Sequence, residues 1–425
     1  MRKAILSLWA LLLGMGMIML GNGLQGSLLG MRASLEGFST SVTGMVMSCY
    51  YIGFLAGSTL APGIVERVGH ARVFAALASI ASASVLLHAV FPEPLVWGVM
   101  RAATGFAYAG IYVVAESWIN AMATNKTRGQ LLSVYMVVMF GGLASGQLLL
   151  NVGDPLGFEL FILVSVLVSL ALVPISLNAT AAPIVDAPEP LSLRQMYRTS
   201  PLGFVATLGT GMAHGAFFGM GAVYAVKAGL SLAQTSLFMG IVITGGVLLQ
   251  WPVGWLSDRF DRRRVLAAVT LLAAVIALSI IATFGASHVQ FLLLAGLFGG
   301  LCLPMYSLCL AYINDHLQPE QMVAASSTIV LIGGIGSILG PIMAAEFMSH
   351  LGPNGYFMYL AGVHALIGAY AIYRMARRGA KPSETRAPYI SMPVRGSQVG
   401  VALAQACVQD EEANRDADQT ITRSI

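Results

Sequence analysis

The stretch Gly254-Trp255-Leu256-Ser257-Asp258-Arg259-Phe260-Asp261-Arg262-Arg263 closes a long apolar run with a cluster of both signs of charge. Only 23 Lys and Arg and 19 Asp and Glu occur among 425 residues, so such a cluster marks a point where a helix leaves a membrane. The same pattern stands 192 positions earlier. There Glu66, Arg67, Arg72 and Val73 match Asp258, Arg259, Arg264 and Val265. The register holds upstream as well: Gly37 pairs with Gly229, Ser39 with Ser231, and Gly53 with Gly245. Two similar halves, each with a charged latch at a membrane face, suggest a solute carrier.

Working outward, 57% of the residues are hydrophobic and 10% are charged, against about a quarter charged in soluble proteins. Apolar runs of about 20 residues recur, each long enough to cross roughly 30 Å of hydrocarbon as a helix. The alternating segments of a membrane β-barrel are absent. The reading is an all-α membrane protein with twelve spans, the first at Ile5–Gly30 and the last at Tyr356–Arg374. It divides into an N-terminal bundle (1–177), a linker (178–200), a C-terminal bundle (201–376) and a polar tail (377–425). The linker carries Pro183, Pro188, Pro190, Arg194 and Arg198 and reads as a flexible surface segment. The tail reads as disordered.

Loop Lys and Arg set orientation. With the N-terminus inside, sixteen basic residues fall on the inner side, from Arg2 and Lys3 through Lys126 and Arg198 to Arg378 and Lys381. The outer loops hold Arg32 and Lys227. Both termini are expected in the cytoplasm. The net charge of +4 comes from these loops and does not indicate nucleic acid. Cys49, Cys302, Cys309 and Cys407 show no metal spacing and read as small core thiols. The apolar run after Arg2 and Lys3 is too long for a secretory leader and reads as the first span.

These features resemble the major facilitator superfamily (MFS), whose charged signature follows the second and eighth spans as Gly-x-x-x-Asp-Arg-x-Gly-Arg-Arg. The second copy fits at Gly254, Asp258, Arg259, Arg262 and Arg263, with Asp261 in place of a glycine. The first copy has Pro62 for the leading glycine and Glu66 for the aspartate, and keeps Arg67, Gly69 and Arg72. Arg101-x-x-x-Gly105 resembles a further superfamily signature. Val113-Val114-Ala115-Glu116-Ser117, Gln250-Trp251-Pro252 and Gly336-Ser337-x-Leu339-Gly340-Pro341 resemble the YcaD-like bacterial inner-membrane branch. Drug antiporters favour Gly-Pro in the fifth span. Here Gly146-Gln147 stands there, a departure from a simple multidrug pattern. The resemblance implies two six-helix bundles in a bacterial inner membrane, alternating access, a small-molecule substrate, no cofactor and a functional monomer.

Ionisable groups inside a span cost about 2.5–3.5 kcal/mol on insertion scales. Arg101 and Glu116 both lie in the fourth span. Helical geometry puts them within about 60° of each other around the axis, and about 22 Å apart along it. Gly105, Tyr108 and Tyr112 share the sector, which should face a wet cavity. A carboxyl group removed from water is easier to protonate. Glu116 is therefore the candidate for carrying a proton, with Arg101 orienting an anionic group or sensing Glu116. A fixed helix-to-helix contact is the bland alternative for each.

Asn22-Gly23 in the first span stands 192 positions before His214-Gly215 in the seventh. Paired interruptions of this kind point to a midplane site. Asn22, Gln25, Tyr108, Tyr112 and His214 are the candidate substrate residues, and polar glue between helices is the competing reading. Gln147 and Gln250 read as packing contacts. Glu66, Arg67, Arg72, Asp258, Arg259, Arg262 and Arg263 are candidate gating residues. Glu66 is expected near Pro319 at the start of the eleventh helix, and Asp258 near Arg128 at the start of the fifth. The arginines could instead serve topology alone. Gly142-x-x-x-Gly146 and Gly336-x-x-x-Gly340 read as packing seams where the halves move. No Walker loop, HExxH or nucleophile elbow occurs, so the chain does not read as an enzyme and any energy comes from a gradient. The expected function is secondary active transport coupled to protons. The alternative is a non-conducting receptor or scaffold with a carrier fold.

Overall fold

The computed structural model describes residues 2–124, 127–177, 191–285, 287–377, 387–392 and 396–409. Among them every regular element is a helix. The first half contains α1 (Arg2–Leu35), α2 (Thr40–Val68), α3 (His70–Val90), α4 (Pro94–Met122), α5 (Arg128–Leu148), α6 (Glu159–Leu170) and α7 (Leu172–Leu177). A short α8 (Leu193–Thr199) follows. The second half contains α9 (Pro201–Lys227), α10 (Leu232–Arg259), α11 (Arg262–Thr283), α12 (His288–Cys302), α13 (Met305–Asn314), α14 (Pro319–Leu351) and α15 (Gly355–Arg377). The pairs α6–α7 and α12–α13 are each one span interrupted by a residue or two, so each half has six spans.

Eleven of the twelve are long and apolar enough to cross a membrane by length and composition. The other is α9, whose 27 residues are diluted by glycines and His214 and whose surface is largely covered by protein. Large apolar side chains face outward around the bundle: Leu95 is 81% exposed, Trp251 74% and Leu366 72%. In water such a surface would aggregate, whereas lipid satisfies it.

The sequence repeat is a structural repeat. Gly37 and Gly229 both turn the chain at positive φ, 79° and 80°, a conformation that glycine adopts without penalty. Ser39 and Ser231 then cap α2 and α10, each accepting from a backbone N–H three residues on. Such a cap contributes roughly 1 kcal/mol. Deeper in, Gly53 of α2 lies against the Ala102 carbonyl of α4, and Gly245 of α10 lies against the Gly296 carbonyl of α12. Gly23 meets the Leu143 carbonyl of α5 as Gly215 meets the Ser337 carbonyl of α14. A side chain at any of these four positions would collide with backbone, so the helices could not pack this closely.

The two Gly-x-x-x-Gly pairs are seams, but they lie inside the halves. Gly142 and Gly146 pack on α1 at Gly16 and Leu20, and Gly336 and Gly340 pack on α9 at Leu208 and Met212. This corrects their expected place where the halves move. Small residues there give each half a tightly joined spine.

The halves touch directly at the end opposite the charged loops. Ser48 donates to the Ile338 carbonyl (2.7 Å), Ser236 to the Gln147 carbonyl (2.7 Å) and Asn151 to Ser236 (2.9 Å). Ser41 reaches Glu346 at 3.3 Å.

Two expectations are corrected at the charged end. In the linker, residues 193–199 form α8 behind a Ser192–Gln195 capping box, and the backbone of Leu191 bonds Ala324 of α14. Pro183, Pro188 and Pro190 lie outside the described residues. In the tail, 387–392 and 396–409 are placed, with a helix over 398–409, and neither segment is disordered. Ala387, Met392, Val401, Leu403, Ala404, Cys407 and Val408 are buried. An isolated twelve-residue helix is marginal, so this one depends on the apolar surface it covers. The remainder of 378–425 lies outside the described residues.

Candidate functional site

The groups singled out on α1 and α4 come together. Asn22 donates to the Tyr112 hydroxyl at 2.9 Å, and the Tyr108 hydroxyl reaches Gln25 at 3.4 Å. Tyr108 and Tyr112, four apart and so on one helix face, stack with centroids 6.5 Å apart. About two helical turns down the same face, the Arg101 guanidinium lies 4.5 Å from the ring centre of Tyr50 on α2. A cation over an aromatic face is attracted by the ring quadrupole, which lets α4 keep Arg101 only 5% exposed.

His214 sits across the interface from this cluster. Its Nε2 is 2.9 Å from the carbonyl oxygen of Cys302. The cause lies in the chain: α12 ends at Cys302 because Leu303 and Pro304 interrupt the span, and the last carbonyls of a helix lack partners within it. The imidazole satisfies one of them. A cavity of about 50 Å³ opens beside it, between the halves. Tyr50, Tyr51 and Phe54 of α2 wall one side, and His214, Phe218 and Tyr306 wall the other. This space admits a water or two. Of the five candidate substrate residues, His214 lines it, while Asn22, Gln25, Tyr108 and Tyr112 bond one another behind the α2 wall.

Gln147 behaves as a packing residue. It donates to the Gly23 carbonyl at 2.9 Å and accepts from Ser27, joining α5 to α1. Gln250 donates to Ser307 of α13 at 2.9 Å.

Glu116 is fully buried, and its carboxylate lies against α5 and the tail. The water-filled surroundings expected for it are occupied by protein. One carboxylate oxygen accepts from the Tyr135 hydroxyl at 3.3 Å. The other accepts from the backbone N–H of Gly400 at 2.9 Å, from the N–H of Ser397 at 3.2 Å, and from the Ser397 hydroxyl. Ser397 also caps the tail helix, its Oγ accepting from Val399 at 3.1 Å. The carboxylate therefore sits where a helix presents its unsatisfied donors and the positive end of its dipole.

The two charged loops differ in surroundings. Glu66, Arg67 and Arg72 are exposed, and no hydrogen bond or ion pair engages Glu66 among the described residues. The Pro319 side chain it was expected to approach is outside them. In the second copy Arg262 is 2% exposed. Its Nη1 donates to Asp315 at 2.7 Å and to the Ala311 carbonyl at 2.9 Å, its Nη2 to Asp258 at 2.9 Å, and its Nε to Ser257 at 2.9 Å. Asp258 accepts additionally from the Tyr389 N–H at 3.0 Å. It thus meets its own loop and the tail, which corrects the expected approach to Arg128. Arg263 is held by Asp261 at 2.8 Å, and Arg259 lies 4.3 Å over the Trp255 ring.

Asp315, Ser307, Tyr135, Ser397 and Gly400 escaped the sequence reading. The counterpart of Asp315 one repeat earlier is Ala123, so the register gives it no echo. The tail did carry a signal: Gly400-Val401-Ala402-Leu403-Ala404-Gln405-Ala406-Cys407-Val408 is nearly all apolar, behind a serine.

The model of the family described as Major Facilitator Superfamily matches residues 11–277 and 229–408. An uncharacterized MFS-type transporter of Yersinia enterocolitica is 28% identical over 357 residues, 82% of this chain and 89% of that protein. The uncharacterized MFS-type transporter YcaD of Escherichia fergusonii is 26% identical over 341 residues, 80% of this chain and 88% of that one. The crystal structure of the nucleoside transporter NupG superposes with a TM-score of 0.69 at 15% identity, covering 87% of this chain and 98% of that chain. The D-xylose-proton symporter gives 0.66 at 14% identity, covering 86% and 97%. At such identities the likeness speaks for the fold. The expected kinship with the YcaD-like branch holds, and the repeat that first appeared as a register of glycines and charges is that of a membrane transporter: the chain belongs to the Major Facilitator Superfamily.

Proposed function

We propose that this transporter moves a small solute across the bacterial cytoplasmic membrane by alternating access, as a monomer coupled to protons through Glu116. The observation that carries the reading is the set of buried polar groups about the plane between two pseudo-symmetric halves. His214 of the second half lines the cavity there, and Glu116 and Arg101 are buried on α4 of the first half. A group this costly to bury in a membrane bundle points to a functional role such as a substrate path or proton relay. The bias of basic residues supports a cytoplasmic position for the charged loops and both termini. In that orientation the direct inter-half hydrogen bonds close the outer end.

Asn22, Gln25, Tyr108 and Tyr112 brace the α2 wall of the substrate space from behind, and His214 faces the solute directly. Arg101 orients an anionic group or responds to the charge on Glu116. Glu66, Arg67, Arg72, Asp258, Arg259, Arg262 and Arg263 form the cytoplasmic gate. In reconstituted vesicles, metabolite mixtures applied with and without a pH gradient will reveal a gradient-driven solute, and Glu116→Gln will abolish the pH dependence. Unchanged pH-driven flux in Glu116→Gln removes Glu116 from coupling. Unaltered affinity in Asn22→Ala and His214→Ala removes the substrate assignment.

The second reading, a receptor or scaffold that does not conduct, draws support from the tail seated between the halves. A solute that raises the melting temperature yet shows no counterflow will favour it.

A further inference from the structure

Three features of the charged end share one cause. The tail reaches the cavity itself, where Gly396 forms part of the wall with Tyr306 and His214. The polar groups around the opening are occupied by tail backbone. Asp315 accepts from the Ala387 N–H (3.0 Å), Asp258 from Tyr389 (3.0 Å) and Ser307 from Met392 (2.9 Å), while Gln405 donates to Asn314 (3.0 Å). These contacts all lie on the second half. The first half holds the tail through Glu116 and through apolar packing, since Val399, Val401, Leu403 and Cys407 join the cluster centred on α1–α5.

We propose that the tail segments 387–392 and 396–409 are a tethered plug, seated between the halves by Glu116 at the start of the tail helix, and that it must withdraw before a solute can enter or leave at the charged end. The inference rests on the transporter reading for its consequence, but the seating itself does not. The fit is specific. A Cβ on Gly400 would fall on the Glu116 carboxylate, so only glycine lets the helix N-terminus reach it. Three donors on one carboxylate oxygen, from two backbone N–H groups and a hydroxyl, are a charge-assisted capture of the kind that anions make at helix starts. The seated tail bridges the two halves, so rocking of one against the other tears it from one wall. The plug therefore opposes the conformational change as well as the passage of solute.

The test needs no substrate. Cys407 lies buried in the tail helix and reports on seating through its reaction with N-ethylmaleimide, followed by peptide mass mapping of the full-length protein in vesicles. Gly400→Glu sets a like charge against Glu116 while leaving every bundle residue unsubstituted. It should speed modification of Cys407 roughly ten- to a hundred-fold, the size expected from losing a charge-assisted hydrogen bond. A second reporter, Ser337→Cys in the cavity wall, is exposed to a membrane-impermeant thiol reagent from the charged end. Its modification should accelerate by a similar factor when the chain is ended after Arg377. Rapid modification of Cys407 in the unaltered protein, or equal rates at position 337 with and without the tail, would overturn the plug. Because neither rate involves flux, a protein that seats its tail and carries nothing would sink the transporter reading alone.

Discussion

The loop after α2 and the loop after α10 are two copies of one pattern in unlike surroundings. In the first, Glu66, Arg67 and Arg72 stand exposed, and the turn is made by Gly69 at φ 92°. In the second, Asp261 replaces that glycine and caps α11 through the N–H of Arg263 at 3.1 Å. Arg262 is there drawn inward between Asp258 and Asp315. The difference teaches that duplication preserves the exit of a helix from the membrane but not what the exit is used for. One copy is free to meet a partner. The other has become the foundation of a buried network that the tail completes, with Arg262 also donating to the Ala387 carbonyl.

The sharpest way to break this comparison is to remove the arginine from each copy. Arg262→Ala removes the buried guanidinium that joins Asp315 to Asp258 and should lower stability by about 3–5 kcal/mol, read as the apparent melting temperature in detergent. Arg67→Ala should stay within about half a kcal/mol. Equal losses would mean that the two loops are equivalent after all. The turns give the next test. Gly69→Ala forces a side chain into a positive-φ conformation and should cost about 1–3 kcal/mol. Asp261→Ala, losing a cap, should cost about 1 kcal/mol by the same melting assay. A larger loss at Asp261 would show that its pairing with Arg263 outweighs the cap. The smallest effect belongs to the opposite ends of the same helices, where the copies agree. Ser39→Ala and Ser231→Ala should each cost roughly 0.5–1 kcal/mol. A gap much wider than that would show that the outer turns have diverged as well.

Much of the architecture was written in the chain because lipid imposes simple rules. Apolar runs gave the spans, loop charge suggested their direction, and matched residues such as Gly37 and Gly229 exposed the repeat. Glu116 and Arg101 stood out because ionisable groups are scarce in such helices. What stayed hidden depended on contacts distant in sequence. Asp315 looks like an ordinary loop acid until Arg262 is beside it. The tail read as disordered because its apolar core is flanked by charged and polar stretches, and averaging conceals a twelve-residue helix. Asn22 and Tyr112, ninety positions apart, are both candidate substrate residues in the sequence, yet only packing reveals that they bond each other behind the cavity wall.

Ten positions separate Arg377, the last residue of α15, from Ala387, the first placed residue of the tail. Their covalent connection makes the seated segment a unimolecular competitor, whose local concentration is fixed by the chain and not by expression level. Dilution cannot rinse it away, and purification cannot leave it behind. A reporter or affinity handle fused downstream of the tail helix would load the very segment in question, so assays on such fusions would weigh a different equilibrium from that of the unadorned chain.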